Sequence, residues 1–387
     1  MKAVTSNAWG LCAFLAIFLT ATVVPGCEAT CSFPAIFNFG DSNTDTGGFY
    51  TAFPALWPPY GMTYFEKPAG RTTDGRVIVD FLAQGLGLPF LSPYLKSIGS
   101  DYRHGVNFAS AEATARLPHS SPFDSWISPF SLAIQFNQFK QFKVIVDEHD
   151  SHDNGNTALP PKNIFGKALY TLYIGQNDFT ANLTSLGISG VNQFLPEVVG
   201  QIAKTIKDIY SQGGRTFLIL NLAPIGCYPI FLVEPLPHNA SDIDQFGCLK
   251  SYNKAVVDYN NMLKDTVRKT RQNLKDANVI YVDTHSILLE LFQHPTSHGL
   301  KYGTKTCCGE GGGDYNYNKK LLCGIAKVVD GVIVRAEACD DPYNYVMWDG
   351  LHTTDAANKL VAQAIFSGSY FDPPFSLHHF CDIHPIG

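Results

Sequence analysis

The run Ala35-Ile-Phe-Asn-Phe-Gly-Asp-Ser42-Asn-Thr-Asp-Thr-Gly-Gly48 decides how this chain is read. Residues 35–39 have the apolar and aromatic character of a buried strand, and Gly40 breaks it. A serine hydroxyl then stands at the strand's carboxyl end. Taken alone, Asp41-Ser42-Asn43 reads equally well as a helix cap, because all three residue types accept from free backbone N–H groups. No Gly-x-Ser-x-Gly elbow occurs in the chain, which argues against the nucleophile-elbow hydrolases.

Similar apolar runs recur downstream at 106–109, 169–174, 216–222 and 279–282, each leading into polar or turn residues. Helical patterns lie between them. Val198, Val199, Ile202, Ile206 and Ile209 repeat at spacings of three and four before Gly213-Gly214, and Tyr252, Val256, Tyr259, Leu263 and Val267 do the same. Strands alternating with amphipathic helices predict an α/β chain of three layers, α/β/α, around a central, mostly parallel five-stranded sheet. Such sheets hold their ligands beyond the carboxyl ends of the strands. Ser42, Ser110 and Asn177 all fall there.

A serine is a weak nucleophile until an adjacent base takes its proton, and that base works best when a third group fixes its tautomer. Asp349-Gly-Leu-His352 supplies both groups. The spacing of three predicts a helical turn that puts the carboxylate and the imidazole on one side, before a helix over 354–366. Asn177, in Gly175-Gln-Asn-Asp178, can present an amide donor to the oxyanion that acyl transfer creates. Asn-Asp after a strand is also an ordinary turn signal, and the two readings are compatible.

The first 29 residues have the form of a secretory signal peptide: Met1-Lys2, an apolar run over 9–24, then Pro25-Gly26 and small residues. The mature chain, 30–387, is expected to be one domain, because its chemistry is split between the two ends and no linker divides it. Cleavage after Ala29 leaves Cys31, Cys227, Cys248, Cys307, Cys308, Cys323, Cys339 and Cys381, an even set suited to an oxidising compartment. Cys227 with Cys248, and a cluster among the four cysteines from Cys307 to Cys339, are expected as local staples. No Cys-x-x-Cys spacing suggests zinc. Asn182-Leu-Thr and Asn239-Ala-Ser have the form of glycosylation acceptors. Segment 292–346, rich in Gly, Tyr, Asn and Cys with little periodicity, reads as a disulfide-pinned loop excursion. Its run Gly309-Glu-Gly-Gly-Gly313 lacks the lysine and the strand–helix context of a phosphate loop. A formal net charge of −6 without basic clusters argues against nucleic acid as a partner. No stretch after the first 29 residues is long and apolar enough for a membrane anchor.

Together these residues resemble the plant GDSL esterase/lipases of the SGNH hydrolase superfamily, over essentially the whole mature chain. Phe39-Gly-Asp-Ser42-Asn-x-Asp45-Thr-Gly matches the first block of that family and Gly105-Val-Asn-Phe-Ala-Ser110 the second. Gly175-Gln-Asn177-Asp178 matches the third block and Asp349-Gly-Leu-His352 the fifth. Pro59-Tyr-Gly61, Arg71-Thr-Thr-Asp-Gly-Arg76 and Pro224-Ile-Gly-Cys227 are similar to its plant branch. The resemblance implies the flavodoxin-like SGNH hydrolase fold, with Ser42 as nucleophile, His352 as base and Asp349 as its orienter. It implies an oxyanion hole built from the Ser42 N–H, the Asn177 side chain and the backbone N–H at Ala111, which stands where glycine is expected. Alanine keeps the N–H but resists positive φ, so an altered acyl preference is expected. No cofactor and no metal are implied. The expected substrate is a small-molecule or carbohydrate ester, short-chain and acetyl-like, cleaved by a secreted monomer in the apoplast, cell wall or vacuole. Acyl transfer to a small acceptor, or lipase action on longer chains, would use the same residues.

Overall fold

The computed structural model describes residues 31–118, 127–149, 158–233, 240–329 and 331–387. The expected signal peptide and Asn239 lie outside the described residues.

Five strands run parallel in the order β2-β1-β3-β4-β5: β1 (Ile36–Gly40), β2 (Gly105–Asn107), β3 (Leu169–Tyr173), β4 (Thr216–Leu220) and β5 (Asn278–Val282). They are the five expected from the apolar runs. Phe37 lies opposite Val106 on one side and Tyr170 on the other. Every residue of β1, β3 and β4 is buried, as strands covered on both faces must be.

Helices Leu132–His149, Leu183–Ser211 and Lys250–Gln272 pack on one another, while Ile78–Gly85, Thr284–Gln293 and Asp355–Ser367 form a second group. Right-handed crossovers place the two groups on opposite faces of the sheet. The two expected amphipathic patterns fall on Leu183–Ser211 and Lys250–Gln272, and the former bends at Gly187, whose φ of 62° and ψ of 177° are not helical. Under the first group lies a nest of rings, where Phe37 stacks on Phe165 and Tyr170 at 5.3 and 5.4 Å and meets Phe139 edge-on at 5.6 Å.

Segment 292–346 holds more regular structure than its sequence suggests. β6 (Tyr302–Thr306) pairs in parallel with β9 (Tyr345–Met347), and β7 (Ala326–Val329) pairs antiparallel with β8 (Val332–Arg335). Disulfides Cys307–Cys339 and Cys308–Cys323 pin it, and the expected Cys227–Cys248 bond forms beside β4. A fourth bond, Cys31–Cys381, ties residues 350 apart in sequence. The last strand, β10 (Phe371–Asp372), adds an antiparallel edge to β5. Two residues carry no readable period, so the sequence offered no sign of this sixth strand.

Candidate active site

In the order 2-1-3-4-5 the chain reverses direction across the sheet between β1 and β3, and the carboxyl ends of these two strands flank the crevice where such folds hold ligands. Ser42 follows β1 and Asn177 follows β3. A polar ladder fixes the register there. Asn38 Nδ2 donates to Asn107 Oδ1 at 2.8 Å, and Thr171 Oγ1 donates to Asn38 Oδ1 at 2.6 Å. Asn107 Nδ2 then donates to the Thr44 carbonyl at 2.7 Å, so the ladder reaches into the serine loop. Gly40 is required where the chain leaves the sheet. A side chain there would lie 2.4 Å from Thr44 Oγ1 and 2.7 Å from the Tyr173 carbonyl. Gln135 completes the exit, accepting from Gly40 N–H at 3.0 Å and donating to its carbonyl at 2.8 Å.

Ser42 and His352, separated by 310 residues, meet. His352 Nε2 lies 2.9 Å from Ser42 Oγ, and His352 Nδ1 lies 2.9 and 3.0 Å from the two oxygens of Asp349. Ser42 is only 6% exposed. The stretch from Asp349 to His352 is a bend and not the helical turn expected from its spacing. Gly350, at φ 96°, turns the chain, and Asp349 Oδ1 accepts from the N–H groups of Leu351 and His352 at 3.1 and 3.0 Å. The carboxylate thus holds both its own loop and the imidazole. The helix expected next begins at Asp355, with Thr354 as its cap.

A tyrosine and a loop to which sequence reasoning gave no role complete this end. Tyr60 Oη donates to Asp349 Oδ2 at 2.8 Å. The loop Arg71–Arg76 sutures the two halves of the site, with Thr72 Oγ1 donating to the Ser42 carbonyl at 2.9 Å and Thr73 Oγ1 to the Thr353 carbonyl at 2.7 Å. Arg71 and Arg76 anchor that loop through buried pairs with Asp80 and Asp355 at 2.7 and 2.9 Å.

Charge and burial act against each other here. Burial alone would lower the His352 pKa, but the Asp349 carboxylate, its hydrogen bond, Asp41 and Glu112 raise it above the ordinary value. Burial would raise the carboxyl of Asp349, yet the imidazole, two backbone N–H groups and Tyr60 hold it below the usual range. Burial pushes Asp41 up to about 6, only partly offset by Asn43 and His352, and its Oδ2 has no partner among the described residues.

The residues following β2 are clamped almost atom by atom. Ser110 N–H donates to the Gly40 carbonyl at 3.2 Å, and Ala113 N–H to the Ser110 carbonyl at 3.1 Å. Asp178 Oδ2 accepts from Ala115 N–H at 2.6 Å. Ala111, expected to offer its N–H to an oxyanion, instead donates it to Asp45 Oδ2 at 2.8 Å. The reason is the burial of Asp45, which collects donors from Gly47, Gly48, Phe49 and Ala111 to offset desolvation. The left-handed conformation expected near this point falls one residue later, on Glu112 at φ 62°, where a residue with a Cβ is held at a cost of about 1–2 kcal/mol. Glu112 N–H and Ser42 N–H have no protein partner among the described residues. Asn177 Nδ2 donates to the Ala113 carbonyl at 2.9 Å, which brings the amide beside this segment and leaves its second N–H available. Asn182 stands at the start of the next helix without a side-chain cap, its amide donating back to the Asp178 carbonyl at 3.4 Å.

Comparison with known proteins identifies the family. The GDSL-like lipase/acylhydrolase family model matches residues 36–365. The chain is 60% identical over 355 residues to the GDSL esterase/lipase At4g01130 of Arabidopsis thaliana, covering 92% of this chain and 93% of that one. It is 44% identical to α-L-fucosidase 3 of Arabidopsis thaliana, with 92% and 97% covered, and 42% identical to an esterase of Hevea brasiliensis, with 91% and 90% covered. The chain therefore belongs to the GDSL-like lipase/acylhydrolase family and is a serine ester hydrolase.

Proposed function

We propose that the chain cleaves short-chain, acetyl-like esters of glycosides, cell-wall sugars or secondary metabolites by a two-step acyl-enzyme route. Ser42 Oγ attacks the ester carbonyl carbon while its proton passes to His352 Nε2. The tetrahedral oxyanion is met by the N–H groups of Ser42 and Glu112 and by the Asn177 amide. Collapse breaks the bond to the alcohol, which leaves with the proton from His352. Water then attacks the acyl-Ser42 carbonyl, gives its proton to His352, and the acid is released as Ser42 regains its hydrogen. Asp349, backed by Tyr60, keeps the imidazole in the tautomer with Nε2 free.

The observation that carries this reading is the 2.9 Å contact between Ser42 Oγ and His352 Nε2. Glycoside cleavage, suggested by the fucosidase-named relative, would instead need two carboxyl groups flanking the glycosidic bond, one of them a proton donor. We further propose that residues 30–387 act as a single exported domain and a monomer, glycosylated at Asn182 and Asn239. Export is supported by the four disulfides. No helix among the described residues is long and apolar enough to cross a membrane.

Turnover of p-nitrophenyl esters from acetate to palmitate, then of acetylated glycosides, tests the assignment. Ser42→Ala is expected to lose on the order of 10⁴–10⁶ in kcat, with acetate the best acyl group in the wild type. Turnover by Ser42→Ala within tenfold of wild type would remove Ser42 from the mechanism.

A further inference from the structure

The carboxylate of Asp178 is only 2% exposed and has no part in the mechanism above. It follows Asn177 directly in the short helix Gln176–Thr180, which Gly175 opens at φ 115° just beyond β3. The two side chains grip the same stretch of chain. Asn177 Nδ2 donates to the Ala113 carbonyl at 2.9 Å, while Asp178 Oδ2 and Oδ1 accept from the N–H groups of Ala115 and Arg116 at 2.6 and 3.2 Å. The Arg116 guanidinium lies 3.8 Å from Asp178 Oδ1 and is itself held over the Phe194 ring at 4.1 Å and by Glu197 at 2.9 Å. Burial pushes the Asp178 carboxyl up to about 7, and the two N–H groups and Arg116 offset that rise.

A buried carboxylate needs its donors, and buried N–H groups need an acceptor. Segment 113–116 therefore cannot shift without uncovering both. Three bonds from two adjacent side chains bind this segment and the Asn177 amide into one body. The amide has two N–H groups on a plane. With the Ala113 carbonyl fixed, one N–H is engaged and the other is aimed in a set direction. An Ala113 carbonyl free to drift would let the amide turn, and a donor out of line with the oxyanion stabilises little.

We propose that Asp178 is a positioning residue for the oxyanion: by holding the N–H groups of Ala115 and Arg116 it fixes the Ala113 carbonyl, which orients the Asn177 amide. The assignment rests on the acyl-enzyme reading and names the side chain on which the aim of Asn177 depends.

The test compares wild type, Asn177→Ala, Asp178→Asn and the double variant on p-nitrophenyl acetate. Asn177→Ala is expected to lose on the order of 10²–10³ in kcat, as removal of an oxyanion donor does. Asp178→Asn keeps the shape of the side chain but turns an amide N–H against one of the two backbone N–H groups. Its kcat is expected to fall about ten- to a hundredfold, with KM within about twofold of wild type. The double variant should be slower than Asn177→Ala by no more than about twofold, because aim is immaterial once the donor is gone. Phenylboronic acid gives a readout that a purely structural role would not move. Its boron takes Ser42 Oγ as the serine proton passes to His352, and the tetrahedral anion puts an oxygen where the oxyanion forms. Its affinity should fall in Asp178→Asn by about the same factor as kcat/KM. A kcat unchanged in Asp178→Asn, losses that multiply in the double variant, or an unchanged boronate affinity would each overturn the proposal. Should Asp178→Asn not fold, Asp178→Ser, which leaves room for water on both N–H groups, goes through the same comparison. Failure of both to fold overturns the positioning role in favour of a folding one. A separate result, Asn177→Ala at the wild-type rate, removes Asn177 from the oxyanion reading and takes the proposal with it.

Discussion

The two halves of the Ser42–His352 pair are held by different physics. The serine loop leaves the most buried strand of the sheet and is fixed by desolvated hydrogen bonds: Asn107 on Thr44, Gln135 on Gly40, and Asp45 on four backbone N–H groups. The histidine loop emerges from segment 292–346, where strands are short and apolar side chains face outward, with Val328 71% and Ile333 72% exposed. Its backbone is held by disulfide-linked neighbours, because Cys307 N–H donates to the Met347 carbonyl at 3.0 Å and Cys308 N–H to the Trp348 carbonyl at 2.7 Å. A serine set by packing meets an imidazole whose loop leans on covalently stapled neighbours as well as on Asp349. The difference teaches that precision in this site is reached by two routes, of which only one depends on the redox state of the surroundings.

That contrast can be broken from either side, and the largest effect is expected at the acid–base pair. Asp349→Asn should reduce kcat by about 10⁴, since the amide favours the wrong imidazole tautomer. His352 must be neutral to accept the serine proton, so activity falls as pH drops through its raised pKa. Asp349 is what raises that pKa, so the residual activity of Asp349→Asn should show an acid limb shifted to lower pH, which a pH–rate profile would measure.

Removing a staple should separate the two regions. Replacing both Cys307 and Cys339 by Ser opens a span of 32 residues and should destabilise the chain by roughly 3–4 kcal/mol. Hydrogen exchange should rise over 302–347 while the amides of β1 and β3 keep their protection. Uniform loss of protection would show that the excursion and the sheet fold as one unit.

A smaller effect is expected at Tyr60. Tyr60→Phe strips Asp349 Oδ2 of its phenol donor, a loss of about 1–2 kcal/mol that should appear as a roughly tenfold lower kcat/KM at unchanged thermal stability. An equal fall in Tm would make Tyr60 a packing residue for Trp348, whose ring it meets edge-on at 5.9 Å.

What the sequence made legible follows the same division. The sheet could be read because five buried runs, each ended by turn residues, repeat a pattern set by strand geometry. The meeting of Ser42 with Asp349 and His352 could be read because the proposed chemistry limits which residue types serve. The excursion hid its strands because β6 and β9 are short and carry mostly half-buried residues, leaving no alternation to detect. Its hairpin did leave a signal: Asp330-Gly331 stands between Val328-Val329 and Val332-Ile333, the pattern of a two-residue turn. The role of Tyr60 left none, since a contact across 289 residues is written only in the fold. The N–H of Ala111, expected at the oxyanion, is taken by the buried carboxylate of Asp45, a claim evident only once the loops are packed.

Covalent labelling tests most directly whether Ser42 is a nucleophile activated by His352. A fluorophosphonate probe followed by peptide mapping should place a single adduct on Ser42 in the wild-type chain, with none in Ser42→Ala and labelling slowed at least a hundredfold in His352→Ala. An adduct on another residue, or labelling of His352→Ala at the wild-type rate, would contradict it.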